Sequence, residues 1–292
     1  MMAHTIGFLG AGRMASAMIK RLLSKGYDVK VWNRNKAKLE PLVTLGAVAC
    51  DTPAMAAKDV DTVISFMSDD EAARSVWLGD DGALATMRKD SIAIECSTLS
   101  HGFVLELSKT IEAAGVRYVD SPVTGIPADV EAGNTIFLIG AAPETLDRIT
   151  PILNDTGKKI IDFGPIGSGT VYKLMHNLLG AVHIAAAAEL VAVAQKAGLD
   201  GQTVADTFAI GANASGSGLM TVPGMVSGNH HENIHFTNAL RAKDASYALA
   251  LVKDLGMSTP VGQSAYDVFE KATKSGLGNL AQSAVIETIQ KS

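Results

Sequence analysis

Short apolar runs rich in β-branched residues recur through the N-terminal half of the chain. The stretches between them carry apolar positions at every third or fourth residue. The first pattern is that of strands buried on both faces, the second that of amphipathic helices. Strands are predicted at Thr5–Leu9, Asp28–Trp32, 62–66, Ile92–Glu95 and Arg117–Asp120, and helices at 14–24, 36–45, 71–78 and 103–114. Strands alternating with helices predict βαβ units around a parallel sheet. Two further apolar runs, Thr135–Ile139 and 159–163, are expected to extend that sheet.

The pattern changes at Gly164-Pro165-Ile166-Gly167-Ser168-Gly169. Beyond this punctuation a helix is predicted over 170–197, roughly 40 Å long at the ordinary helical rise. Its Ala-rich, nearly all-round apolar surface predicts burial on most sides. Only helical segments follow, at Gly201–Ile210, 238–255 and 262–275, with a short loop of flexible composition at 211–218. The expected fold class is α/β: a sheet domain over 1–164, then an all-α domain over 165–292, linked by the long helix.

Composition narrows the class. Of 292 residues 47% are apolar and 19% charged, which excludes disordered and collagen-like chains. No uninterrupted apolar run reaches the ~20 residues of a membrane span. The richest stretch, 178–199, is broken by His183, Glu189, Gln195 and Lys196. A net charge of -5 argues against nucleic acid as a partner. Cys50 and Cys96 form no disulfide framework or zinc pattern. His230, His231 and His235 cluster without structured ligand spacing and are expected in a solvated loop, so no metal is expected. With no signal-peptide pattern before the first strand, the expectation is a soluble, cytoplasmic protein.

Gly10-Ala11-Gly12-Arg13-Met14-Ala15 follows a predicted strand and opens a predicted helix. It is the G-x-G-x-x-A form of the Rossmann dinucleotide fingerprint, in the required context. The first glycine permits a tight turn, the second admits the pyrophosphate, and the small Ala15 lets helix and strand pack closely. An acidic residue for the ribose hydroxyls is usual after the second strand, but here the strand runs into Asn33 and Arg34. A guanidinium suits a 2′-phosphate, so NADP is expected over NAD, with NAD possible.

The long helix opens as Gly167-Ser168-Gly169-x-x-x-Lys173-x-x-x-Asn177, with Lys173 and Asn177 on one face. A lysine in a largely apolar helix needs a partner or a role. Here the sequence resembles the β-hydroxyacid dehydrogenase family, which includes the 3-hydroxyisobutyrate and 6-phosphogluconate dehydrogenases. The resemblance spans almost the whole chain. It is carried by Gly7 to Met14, by Asp120-Ser121-Pro122-Val123-Thr124-Gly125 continuing to Thr135, by Gly167 to Asn177, and by Phe236-x-x-x-Leu240-x-x-Lys243-Asp244.

The resemblance implies hydride transfer between NADP(H) and a small 3-hydroxy acid or its semialdehyde or 2-ketoacid. It makes Lys173 the proton donor in reduction and Asn177 its neighbour on the substrate. Thr124, Gly125 and Ile126 stand where the family grips the substrate carboxylate, and Ser97 joins that substrate set. Gly10, Ala11, Gly12, Arg13, Met14, Asn33, Arg34, Met67, Ser68, Thr98 and Lys243 are implied at the cofactor. A homodimer or larger homo-oligomer formed through the helical half, with the active site between the domains, is also implied.

Three positions depart from the family pattern: Ile126 and Val130 replace glycines, and His176 replaces an asparagine. Asp129 and Glu131 add acidic character nearby. Two alternatives stay open: an imine reductase-like NADPH enzyme, and a non-catalytic dinucleotide-binding scaffold. The first commonly has Asp or Tyr at the lysine position, and the second usually loses the lysine.

Overall fold

A computed structural model describes residues 4–232 and 234–291. Among them two compact units divide after Lys173, so the first turn of the long helix packs with the sheet. In the first unit, strands β1 (Thr5–Leu9), β2 (Asp28–Trp32), β3 (Val48–Ala49), β4 (Thr62–Ser65), β5 (Ile92–Glu95) and β6 (Arg117–Asp120) form one parallel sheet. Their order is β3-β2-β1-β4-β5-β6, which reverses direction between β1 and β4, as in a doubly wound Rossmann sheet. Every residue of β4 and β5 is buried, the burial that near-continuous apolar runs predict. Apolar clusters cover both faces, one including Ile6, Phe8 and Val31, the other Leu9, Trp77 and Leu107.

The helices of this unit are α1 (Arg13–Ser24), α2 (Glu40–Thr44), α3 (Pro53–Ala57), α4 (Asp70–Leu78), α5 (His101–Ala113), α6 (Pro127–Glu131) and α7 (Pro143–Thr156). The last was not predicted. Prolines at its start and at Pro151 interrupt the sequence pattern, although a proline at the first helical position costs no hydrogen bond.

The runs expected to extend the main sheet do not. Strands β7 (Val123–Thr124), β8 (Thr135–Ile139) and β9 (Gly157–Asp162) form a separate sheet, with β7 antiparallel and β9 parallel to β8. The chain leaves β6 through Pro122, which has no N–H to continue a ladder. An antiparallel bridge between Asp120 and Gly140 joins the two sheets.

Helix α8 (Ser168–Lys196) crosses from the first unit into the second. Its start is held by Asp120 at the end of β6. One carboxylate oxygen accepts from Gly167 N at 2.6 Å; the other accepts from Thr170 N at 2.8 Å and Thr170 Oγ1 at 3.0 Å. Asp120 is fully buried. Burial pushes its carboxyl up to about 6, against the pull of these donors.

The second unit continues with α9 (Gly201–Ile210), α10 (Gly216–Ser227), α11 (Asn238–Asp254), α12 (Pro260–Ala272) and α13 (Ile286–Gln290). Its core gathers Ala181, Ile184, Ala188, Val191, Phe269 and Val285. The segment read as a flexible loop, 211–218, contains the start of α10, capped by the Ser215 hydroxyl on Gly218 N at 3.1 Å. Gly218 is needed because a Cβ there would lie 2.5 Å from the Phe208 ring of α9.

Two other expectations are corrected. Helix α8 is not buried on most sides: Leu179, Leu190 and Val193 are 52%, 47% and 67% exposed. His230 is not in solvent. It is buried, its Nδ1 lies 2.9 Å from Ser283 Oγ, and burial lowers its pKa. Among the described residues no group of His, Cys, Asp or Glu could hold a metal ion.

The raised carboxyl of Asp120 makes a pH prediction. Its folded value of about 6 lies above the ordinary 3.8, so between these the folded chain binds the proton more tightly than the unfolded chain. Its contribution to stability is therefore present in full below about pH 4 and is lost as pH rises through about 6. In urea unfolding across this window, wild type is expected to lose stability relative to Asp120→Asn as pH increases. A constant difference would contradict it.

Candidate active site

The predicted cofactor residues of the first unit follow the carboxyl ends of neighbouring parallel strands. Gly10 to Met14 follow β1, Asn33 and Arg34 follow β2, Met67 and Ser68 follow β4, and Thr98 follows β5. In an open parallel sheet this edge, at the point where strand order reverses, is where dinucleotides lie.

Gly10 has φ +103, and a Cβ there would lie 2.6 Å from the carbonyl oxygen of Phe66. Gly12 is different: no atom lies within 4 Å of where its Cβ would be. That open space faces the start of α1, which has no side-chain cap. An uncapped helix N-terminus offers N–H donors and a positive dipole end, and the missing Cβ leaves room for a phosphate. Ala15, the small third residue of the fingerprint, is buried. The residues present therefore fit a dinucleotide pyrophosphate.

Asn33 is committed elsewhere. Its Oδ1 accepts from Ala11 N at 2.9 Å and its Nδ2 donates to Asn35 O at 2.7 Å, so it ties the glycine loop to the end of β2. Arg34, the next residue, is exposed.

A second tie lies between the β4 and β5 loops. Ser97 is buried; its Oγ accepts from Met67 N at 2.6 Å and donates to Glu95 Oε1. Glu95 also accepts from Ser97 N at 2.9 Å and from Trp77 Nε1 at 2.7 Å. Burial raises the Glu95 pKa, opposed by the donors from Ser97 and Trp77. The Ser97 hydroxyl is thus occupied in framing the loop, while half-buried Thr98 follows it. Ser68 sits beside Asp69, the N-cap of α4, and donates to it at 2.7 Å.

At the predicted carboxylate grip, Thr124 is half-buried at the end of β7 and Gly125 is exposed with φ +130. The Ile126 N–H is already taken by Asp129 Oδ2 at 2.9 Å. The Thr124 hydroxyl and Gly125 N–H are further donors of that turn. Val130 is buried in the core, and Glu131 pairs with Lys20 of α1 at 2.6 Å. Both belong to the packing of α6 on α1. Lys173 is half-buried, one turn beyond Thr170 on α8.

In the second unit Asn177 is buried and donates through Nδ2 to Asp244 Oδ2 at 2.6 Å, leaving its amide oxygen turned away from that carboxylate. The other Asp244 oxygen lies 2.9 Å from Lys243 Nζ, which sits 4.9 Å from the Tyr247 ring centre. Arg241 donates to Asn177 O at 3.0 Å and twice to Gln282 Oε1, at 3.0 and 2.8 Å, and stacks on Phe236. Burial pulls its guanidinium down to about 10, opposed by Asp244.

Sequence reasoning assigned no role to Glu95, Trp77, Asp120, Arg241 or Gln282. For Glu95 and Asp120 a signal existed: each is a lone acid ending an otherwise buried strand. For Arg241 and Gln282 there was none, because their partnership joins positions far apart in the chain.

Residues 5–164 match the family model of the NAD binding domain of 6-phosphogluconate dehydrogenase, and residues 167–289 that of the NAD-binding domain of NADP-dependent 3-hydroxyisobutyrate dehydrogenase. The chain is 32% identical over 285 residues to glyoxylate/succinic semialdehyde reductase 1 of Arabidopsis thaliana, covering 98% of each. It is 30% identical over 269 residues to 3-hydroxyisobutyrate dehydrogenase of Pseudomonas aeruginosa, covering 90% of each. The solved structure of Mycobacterium tuberculosis 3-hydroxyisobutyrate dehydrogenase with L-serine superposes with a TM-score of 0.86 at 27% identity, covering 99% of this chain and 100% of that one. An imine reductase from Myxococcus stipitatus, at a TM-score of 0.62 and 20% identity over 98% of this chain and 99% of that one, shares the fold. By sequence along its whole length and by its fold, the chain belongs to the β-hydroxyacid dehydrogenase family of NAD(P)-dependent oxidoreductases.

Proposed function

We propose that the chain reduces a small aldehyde or 2-ketoacid bearing a carboxylate to the hydroxy acid, with NADPH preferred, and runs the reverse oxidation. The observation that carries this reading is Lys173, one turn into a helix fixed to the same unit that carries the glycine loop. Relatives named for glyoxylate, succinic semialdehyde and 3-hydroxyisobutyrate support the substrate class. Bound NADPH supplies the hydride to the carbonyl carbon. Lys173 Nζ donates a proton to the carbonyl oxygen as the C–O double bond is lost, and takes it back in the oxidation. The Thr124 hydroxyl and Gly125 N–H hold the carboxylate. By the family resemblance Asn177, anchored by Asp244, would accept from the substrate hydroxyl, and Lys243 and Thr98 would help hold the cofactor, with Ser97 framing the loop of Thr98.

Lys173→Met should lower kcat by roughly 100-fold or more, the scale of a lost general acid, and leave the NADPH dissociation constant within about threefold. An NADPH-oxidation assay across semialdehydes, 2-ketoacids and cyclic imines checks this, and retained kcat would refute the role. Turnover of imines alone would favour an imine reductase, and tight NADPH binding without turnover a scaffold.

The cofactor preference rests on Arg34, exposed after β2 in Asn33-Arg34-Asn35, where the usual ribose-binding acid is replaced. Arg34→Asp should shift the ratio of NADPH to NADH affinity by at least about tenfold toward NADH, the worth of one charge-assisted contact. An unchanged ratio in a fluorescence titration would sink the preference.

The exposed side of α8 in the second unit is the proposed homodimer face. Leu179, His183, Ala186, Leu190 and Val193 follow one another at steps of four and three residues, the spacing of a seam between paired helices, and none is Asp, Glu, Lys or Arg. A second copy presents the same stripe and can pair with it. Leu190→Glu with Val193→Glu should convert the dimer to a monomer in light scattering at micromolar concentration. An unaltered mass would overturn this interface.

A further inference from the structure

The segment from Asp120 to Gly125 supplies the proposed carboxylate grip through its last two residues, and its first residue takes no part in that grip. Yet Asp120 is fully buried and has both oxygens engaged by a segment more than forty positions away along the sequence. A buried carboxylate carries a large desolvation cost, so its partners indicate what it is for.

Those partners are the N-terminal donors of α8. Gly167 immediately precedes the helix, and its carbonyl accepts the first helical bond, from Val171 N at 2.9 Å. Thr170 is the third helical residue. In an ordinary capping box the residue before the helix caps the N–H of the third helical residue, and that residue's side chain caps in return. Gly167 has no side chain with which to do so. Asp120 does both, accepting from Gly167 N and Thr170 N and adding the Thr170 hydroxyl. Two of the N–H donors at this glycine-rich helix start are thereby committed to Asp120.

Glycines enforce the arrangement. A Cβ on Gly140 would fall on Asp120 Oδ1, and one on Gly169 would fall on the Leu138 carbonyl. Gly167 has φ +94, and a Cβ there would lie 2.9 Å from His101 Nε2. The first turn of α8 is therefore seated directly against the ends of β6 and β8. It cannot rotate or slide without breaking bonds to a buried charge. Lys173 follows Thr170 by three residues, so the seat fixes where its side chain leaves the helix.

We propose that Asp120 is a positioning residue for Lys173, acting through the first turn of α8. The proposal rests on the reading of Lys173 as proton donor. Asp120→Asn keeps the shape but offers one acceptor oxygen and turns an NH2 group toward an N–H. Thr170→Val removes only the hydroxyl contact and serves as the milder variant should the first fail to fold.

Three measurements test it on the full-length chain: amide exchange at Gly167 and Thr170, the rate at which an amine-selective reagent modifies Lys173, and steady-state kinetics with NADPH titration. In Asp120→Asn, exchange at both amides should rise at least about tenfold while the amides of β1 are unchanged. The Lys173 modification rate should change by at least about threefold. A misplacement of about 1 Å can cost about 100-fold in rate, so kcat should fall roughly 10- to 100-fold. KM and the NADPH dissociation constant should each stay within about threefold. Thr170→Val should move the same quantities in the same directions by less.

Unchanged exchange, an unchanged Lys173 modification rate, or a kcat loss matched by an equal loss of NADPH affinity would each overturn the proposal. Exchange and modification need no substrate. A wild type that turns over nothing would therefore defeat the dehydrogenase reading, while those two measurements still decide whether Asp120 holds Lys173.

Discussion

A buried carboxylate at the end of β6 sets the constraint on which the first unit's chemistry depends. Asp120 is fully buried, and its Gly167 and Thr170 donors come from the start of α8. Such a charge tolerates little displacement of its partners, because each lost bond leaves charge unsolvated in a medium of low dielectric. The sheet and the helix that carries Lys173 are thereby coupled through a polar contact that fixes direction and register. Apolar packing alone tolerates sliding, and this contact does not.

Glu95 does for the neighbouring strand end what Asp120 does for β6. It is buried, takes donors from Trp77 and Ser97, and through Ser97 reaches Met67 N in the β4 loop. Adjacent parallel strands thus end in acids that pin the loops and helix following them. A doubly wound sheet gathers its functional loops at one edge. Polar bonds to the rigid strands beneath add direction to the apolar anchoring that residues such as Leu99 and Met67 give these loops. The cost is two buried carboxyls whose pKa values burial raises.

The second unit follows the same logic with the charges reversed. Arg241 is buried, stacks on Phe236, and satisfies its guanidinium on Gln282 and on the Asn177 carbonyl. Gly180 leaves the passage for it: a Cβ there would lie 3.1 Å from Arg241 Nη1. Asn177 is therefore held at its backbone by a cation and at its side chain by Asp244. With one amide N–H committed, what it can offer a ligand is defined by its neighbours as much as by its own side chain.

The sequence by itself determined β1, β2, β4, β5 and β6 and their alternation with helices, though not the two-residue β3, as well as the fingerprint at Gly10 to Ala15 and the change to helices after Gly164. Each is a local matter of periodicity or of a backbone position that only glycine fills. It also located Lys173 and Asn177 on one helix, since helical spacing alone puts them there. Tertiary structure decided the rest. The runs at β8 and β9 read as more of the same sheet, and the turn at Pro122 sets them apart. Helix α10 hid in a glycine-rich stretch because its small residues serve the approach of Phe208, a contact no local pattern announces. The expected solvated histidine, His230, is buried because Ser283 receives it. Asp120, Glu95 and Arg241 acquire their roles from distant partners: Asp120 from Thr170 at a separation of 50, Glu95 from Trp77 at 18 and Arg241 from Asn177 at 64. Periodicity reports which way a side chain faces. It carries no information on which distant donor will meet a buried charge, and that pairing fixes the candidate site.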